Sequence, residues 1–281
     1  MNQRSHPLYQ ELLQTMRATK AQGPAHWRPA KLSPADLQVI DKESKGTAFD
    51  TLNLRQELNV QMAVGRAHIY AHECDFARII TLTDLPYDPT PLKEWGYLIR
   101  TFGKSATTAK TQVLWFANRR DRFFPEKGKP LGPEHVNGGY CMVCEPNTVV
   151  IYRLEDATRV LIHELLHGFC TDAPIGPGNP VEVMETATEA WAEIVLAAGR
   201  EVGVAAPHPL PGALAAQLQW VALQNLRLRR DHGVTGPRDY AWRYTIGKEA
   251  ALIRMGFLPY VHTFKNVSMR LTPPVSRNPV F

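Results

Sequence analysis

The strongest constraint in the chain is the run Arg159-Val-Leu-Ile-His-Glu-Leu-Leu-His-Gly168, which holds two histidines four residues apart in an otherwise apolar stretch. On a helix, positions i and i+4 lie one above the other, so His163 and His167 can direct two imidazoles at one metal ion. Glu164, about 100° further round the helix, then sits beside the ion's open position. Asp156 is placed to cap the start of such a helix and Gly168 to end its regular part. Val160, Leu161, Ile162, Leu165 and Leu166 supply the apolar face that would anchor it in a core.

Catalytic zinc usually takes three protein ligands and leaves one position for water, two histidines and a glutamate being one standard set. A third ligand is offered downstream. After a loop from Thr171 to Asn179, the segment Pro180 to Ile194 predicts a second helix with Pro180 in its first turn. Glu185, Glu189 and Glu193 recur on it at i, i+4 and i+8 as one acidic stripe. Like charges so arranged repel unless a cation meets them, so the stripe is either a solvated face or a ligand surface.

With His163-Glu-Leu-Leu-His167 followed by Thr188-Glu-Ala-Trp-Ala-Glu193, the chain resembles the gluzincin branch of zinc metallopeptidases over roughly residues 136 to 195. The resemblance implies zinc (Zn2+) as cofactor, His163, His167 and Glu189 as metal ligands, Glu164 as general base, and Glu193 as a residue that orients a liganding histidine. Glu185 is the alternative third ligand, since Thr188 stands where the family usually has Asn. The family commonly places a Tyr or His opposite the metal to stabilise an oxyanion; Tyr240, Tyr244, His232 and His262 are the available groups, and Tyr244 is favoured. A weaker resemblance is to zincin-like proteins of large DNA viruses.

The fold expected is α+β and zincin-like: a small, mostly antiparallel sheet carrying the metal helix, and a mainly helical second half. Residues 1–48 read as a helical arm or prosegment, 49–170 as the sheet half and 171–281 as the helical half. A 281-residue chain that is 44% hydrophobic can bury a sizeable core. Strands are predicted at 77–83, 111–116, 136–143 and 147–152, the last two joined by a turn at Glu145-Pro146. Helices are predicted around Leu8–Met16, from Pro34 to Glu43, near Leu52–Leu58, and at 91–103, 212–231 and 238–255, with an extended tail from Thr272. Asn137-Gly-Gly-Tyr140 resembles the cleft-edge strand that binds extended peptide in zincins.

Cys74, Cys141, Cys144 and Cys170 read as free thiols, since Cys141-Met-Val-Cys144 has no second such pair to complete a zinc site; contact of Cys170, just past the metal helix, with the earlier pair is the alternative. His68 and His72 are also four apart, but no glutamate lies between them, and they read as packing or surface residues. No apolar run is long enough to span a membrane, and the polar opening lacks the apolar core of a signal peptide, so an intracellular location is expected. A net charge of +5 is spread along the chain, which argues against nucleic acid as partner. The function expected is therefore zinc-dependent, endopeptidase-like hydrolysis of a peptide or protein substrate. The alternative is a non-catalytic structural or assembly protein on a zincin fold, associated with virions.

Overall fold

The computed structural model describes residues 6–103, 110–171, 181–206 and 213–257. Helix α1 (Pro7–Ala21) starts on a proline whose missing N–H is no loss at a helix start, and it buries Tyr9, Leu13 and Met16. A two-residue strand β1 (Arg28–Pro29) follows, then α2 (Pro34–Glu43). The start of α2 is secured by a capping box in which Ser33 and Asp36 satisfy each other's backbone N–H groups. Next come α3 (Leu54–Ala63), β2 (His68–Glu73), β3 (Ala77–Thr83), α4 (Leu92–Phe102) and β4 (Thr111–Phe116). A short helix α5 (Pro133–Val136) leads into the hairpin β5 (Gly139–Met142) and β6 (Glu145–Ile151). The rest is helical: α6 (Ala157–Gly168), α7 (Val181–Val202), α8 (Ala213–His232) and α9 (Ile246–Arg254).

The six strands form one mixed sheet in the order β1-β2-β3-β4-β6-β5. Its two central pairings, β3 with β4 and β4 with β6, are parallel, and the three outer ones are antiparallel. The sheet is thus less antiparallel than expected, because α4 carries the chain from β3 back to a parallel β4. Both faces are covered, which is why the central strands read as near-continuous apolar runs. Ile79, Val113, Trp115, Val149 and Ile151 pack against α1, α4, α6 and α7, whereas Ile80, Leu82, Leu114, Phe116 and Val150 pack against α2 and α3.

The N-terminal segment does not stand off as an arm. Helix α1 packs on α4 and α7, with Tyr9 donating to Glu201 at 3.0 Å, and β1 extends the sheet. Glu43, at the end of α2, accepts a hydrogen bond from Tyr140 on the edge strand at 2.5 Å. Buried Arg55 joins the same contact, reaching Tyr140 and pairing with Asp50 at 3.1 Å.

Three local expectations are corrected. The hairpin turn falls at Val143-Cys144, with Cys144 at φ 63°, and β6 already begins at Glu145. The helix expected from 238 is replaced by a 3-10 turn at Tyr240–Trp242, and α9 starts only at Ile246. There Gly247 is required by crowding, since a Cβ would lie 2.3 Å from Thr186 Cγ2 and 2.8 Å from the Trp242 ring. Asp156 precedes α6 at φ 61° without capping it, and its carboxylate accepts from Arg159 at 3.0 Å instead. Pro180, most of the 171–179 loop, His262 and the tail from Thr272 lie outside the described residues. No helix among the described residues is long and apolar enough to cross a membrane.

Two of the cysteines expected to be free form a disulfide: Cys144 in the hairpin turn joins Cys170 just beyond α6, with a Cα separation of 4.6 Å. Only tertiary packing brings these positions together. The bond closes a loop with a sequence separation of 26 and ties the edge of the sheet to the end of α6. Chain-entropy reasoning puts its contribution at about 3 kcal/mol. Urea unfolding with and without reductant should differ by roughly that amount, and an unchanged midpoint would show that the bond adds nothing.

Candidate metal centre

The strand β6 leads within a few residues into α6, whose residues are all buried except Thr158. His163, Glu164 and His167 are exposed by only 7%, 5% and 5%. The i, i+4 spacing has the expected consequence: the two imidazoles meet with ring centroids 4.7 Å apart and Nε2 atoms 3.0 Å apart. Helix α7 packs alongside α6 and turns its acidic stripe toward these rings. Glu185 places Oε2 3.5 Å from His163 Nε2 and Oε1 3.6 Å from His167 Nε2.

The register of the stripe therefore differs from the one implied by the family resemblance. Glu189, expected as the third ligand, faces away from the point where the two Nε2 atoms converge. It sits 3.1 Å from His163 Nδ1, on the other side of that ring, and accepts from Arg159 Nη1 at 2.7 Å. Glu193, one turn further, pairs with buried Lys248 at 2.7 Å and also accepts from Gln217. Glu185, the alternative, is the carboxylate that faces both imidazoles. Its Oε2 is buried and makes no hydrogen bond among the described residues, His163 Nε2 standing 3.5 Å away, an expensive condition for a carboxylate oxygen unless a cation completes it.

The electrostatics of the cluster follow from these pairings. Burial opposes charge on His163, but the carboxylates of Glu189 and Glu185 outweigh it and raise its pKa well above the ordinary imidazole value. Burial pushes Glu185 up, and His163 and His167 more than reverse this, drawing it down to about 2. For Glu189 burial is likewise outweighed, by Arg159 and then His163, and the group stays ionised far below the usual carboxylate range. Glu164 goes the other way: burial dominates, the two histidines oppose it only in part, and its carboxyl is raised.

The edge strand β5 approaches the same cleft. A Cβ on Gly139 would lie 3.1 Å from Glu164 Oε1 and 2.5 Å from Val160 Cγ1, so glycine is what allows the strand to lie directly on α6. Tyr244 lines the cleft together with His163, Glu164, His167 and Glu185. Burial first, and then the charge of Glu185, raise its phenol pKa, so it remains a hydroxyl donor. Tyr240 is engaged by Asn137, whose Nδ2 lies 2.8 Å from its hydroxyl. His232 stacks on Phe124 at 5.4 Å and contacts the Lys129 carbonyl, with no place in the cleft lining. His68 and His72 lie on β2 rather than a helix, and His72 pairs with Asp88 at 2.6 Å.

Sequence reasoning missed Arg159, Lys248 and Cys141. Arg159 had a legible signal, being one turn before His163 on the same helix. Lys248 comes from a distant helix, and Cys141 Sγ meets the Glu164 carbonyl at 3.1 Å across an element boundary, so neither had one. Compared with known protein families, curated proteins and solved structures, the chain matches none.

Lys248 is fully buried between Glu193 at 2.7 Å and Glu189 at 3.9 Å. Removing it leaves a carboxylate buried without its cation, a change that costs about 3–5 kcal/mol. Lys248→Ala should accordingly lower the unfolding free energy by that order in denaturant melts, whereas a loss under about 1 kcal/mol would be the behaviour of a surface ion pair.

Proposed function

We propose that this chain is a zinc-dependent metallopeptidase on a zincin-like fold, with the cation held by His163, His167 and Glu185. The observation that carries the reading is the mutual spacing of the three donors, 3.0, 3.5 and 3.6 Å. Tetrahedral bonds of about 2.0–2.2 Å put ligand atoms about 3.3–3.6 Å apart, so the cluster has the size of one face of a zinc coordination shell. Two imidazoles and one carboxylate are also a donor set that zinc accepts in catalytic sites. Glu189 supports His163 from behind, since a carboxylate on the second ring nitrogen fixes tautomer and orientation.

A zinc ion so held supplies a Lewis acid for the scissile carbonyl and lowers the pKa of bound water toward about 7. The chain's own residues do the rest. Glu164 is not one of the converging donors, lies beside them in the same cleft, and has a raised pKa that suits proton transfer. It accepts a proton from the attacking water and delivers it to the leaving nitrogen. Tyr244 donates its hydroxyl hydrogen bond to the developing oxyanion. The outer edge of β5, unpaired among the described residues, pairs with an extended substrate through main-chain groups, which tolerates many side chains and suits an endopeptidase.

The metal is tested by affinity. His163→Ala, His167→Ala and Glu185→Ala should each lose most bound zinc in metal analysis. Glu189→Ala should weaken zinc by about 10–100-fold as an orienting residue would. Greater damage from Glu189→Ala than from Glu185→Ala would restore the family register.

The reaction is tested by mass spectrometry of a proteome-derived peptide library incubated with zinc-loaded protein. Internal cleavages should appear with the native chain and vanish in Glu164→Gln, which keeps its zinc. Tyr244→Phe should lower kcat by about 10²–10³ with little change in KM. Zinc binding with no Glu164-dependent product would favour a non-catalytic assembly role on the same fold.

A further inference from the structure

Arg122 lines the cleft that holds His163 and Glu164, yet neither the donor cluster nor the proton transfer uses it. Its side chain is 0% exposed. Nε donates to the Val136 carbonyl at 3.1 Å, while Nη1 and Nη2 are buried with no hydrogen-bond partner among the described residues. The nearest carboxylate, Glu155, stands 3.7 Å from Nη1 and accepts instead from the Arg122 backbone N–H at 2.6 Å. A buried guanidinium with both terminal nitrogens unused is expensive, and the geometry it offers is the two-pronged one that matches a carboxylate.

The charge around it is also unbalanced. Arg153 is buried beside it and spends its donors on the carbonyls of Asn137, Arg120 and Glu134, with no carboxylate in ion-pair range among the described residues. Burial, and then the charge of Arg122, hold Arg153 down to about 10. The carboxylates that act on Arg153 are Glu155, which also faces Arg122, and Asp50, which is already paired with Arg55. A peptide carbonyl could satisfy the free Arg122 donors, but only an anion would also offset the excess charge.

Position gives this group a role in recognition. A Cβ on Gly138 would lie 2.4 Å from Arg122 Nη2, and one on the next residue, Gly139, would lie 3.1 Å from Glu164 Oε1. Consecutive Cα atoms are about 3.8 Å apart, so guanidinium and base abut neighbouring residues of the segment entering the edge strand. We propose that Arg122 is the anion subsite of the cleft, taking a carboxylate from an extended peptide close to the bond attacked, whether that carboxylate is an acidic side chain or a chain terminus. The subsite rests on the cleft binding peptides, as proposed above; it does not rest on cleavage.

The test is equilibrium binding of labelled peptides to zinc-supplemented Glu164→Gln protein, read by fluorescence anisotropy. One parent sequence is made with glutamate or glutamine at each position in turn, and with a free or amidated C-terminus. At least one carboxylate-bearing member should bind about tenfold tighter than its neutral counterpart, and Arg122→Met should erase that preference while leaving the neutral members unchanged. A preference confined to the free-acid arm identifies a chain terminus as the source; one confined to the glutamate arm identifies a side chain. Equal affinities throughout, or a preference that survives Arg122→Met, overturn the subsite. Should Arg122→Met fail to fold by circular dichroism, Gly138→Ala, which drives a methyl against Nη2, must reduce the same preference. Cleavage by the native chain is read separately: cleavage without carboxylate preference defeats the subsite alone, preference without cleavage defeats the peptidase reading alone, and no binding of any peptide defeats both.

Discussion

A row of three carboxylates along one side of α7 points into the protein, Glu189 and Glu193 buried and Glu185 partly so, and each meets an imidazole or a cationic side chain. Glu185 faces the two imidazoles, Glu189 is held by Arg159 and His163, and Glu193 by Lys248. Desolvation alone would push Glu185 and Glu189 toward protonation; His163 and His167 of α6 reverse that for Glu185, and Arg159 and His163, with Lys248 of α9, reverse it for Glu189. The pairing sets the rotation of α7 against α6. Since one turn of α7 advances the stripe by one carboxylate, it also decides which glutamate reaches the convergent Nε2 atoms.

The sheet places that helix pair beside a cleft lined by β5 and α6. Because β4 and β6 are parallel and interior, the chain leaves β6 at a covered edge-to-helix junction and enters α6 without a long loop. The antiparallel β5 is the edge strand beside α6 among the described residues. Gly139 permits this approach: a Cβ there would lie 2.5 Å from Val160 Cγ1, so a larger residue would push the strand away from the helix. The disulfide between Cys144 and Cys170 holds the far end of the same junction. Such a bond persists in oxidising surroundings, which an intracellular setting does not normally supply. Glu43, Arg55 and Tyr140 anchor the outer side of β5, which makes the end of α2 and the start of α3 part of the cleft's support.

Much of this was legible in the sequence, for reasons tied to short range. The spacing of His163 and His167 placed two imidazoles together because helical geometry is local. The runs 77–83 and 111–116 became β3 and β4 with the expected bounds, and Ser33-Pro34 became a capped helix start, because β-branched content and capping chemistry act within a few residues. The acidic stripe on one helix face was equally visible, as was the cleft-edge stretch from Asn137 to Tyr140.

What the sequence by itself determined is therefore the helix with two histidines on one face, the presence of a carboxylate row able to meet it, and the glycines beside it. Which carboxylate meets the histidines was decided only in three dimensions, because Glu185, Glu189 and Glu193 are equivalent by spacing and differ only in what other elements bring: Arg159 from α6 and Lys248 from α9. The parallel centre of the sheet, the Cys144–Cys170 pairing and the unspent donors of Arg122 are likewise tertiary outcomes. Each depends on groups far apart in the chain, and no local propensity encodes which distant partner a buried charge or thiol will find.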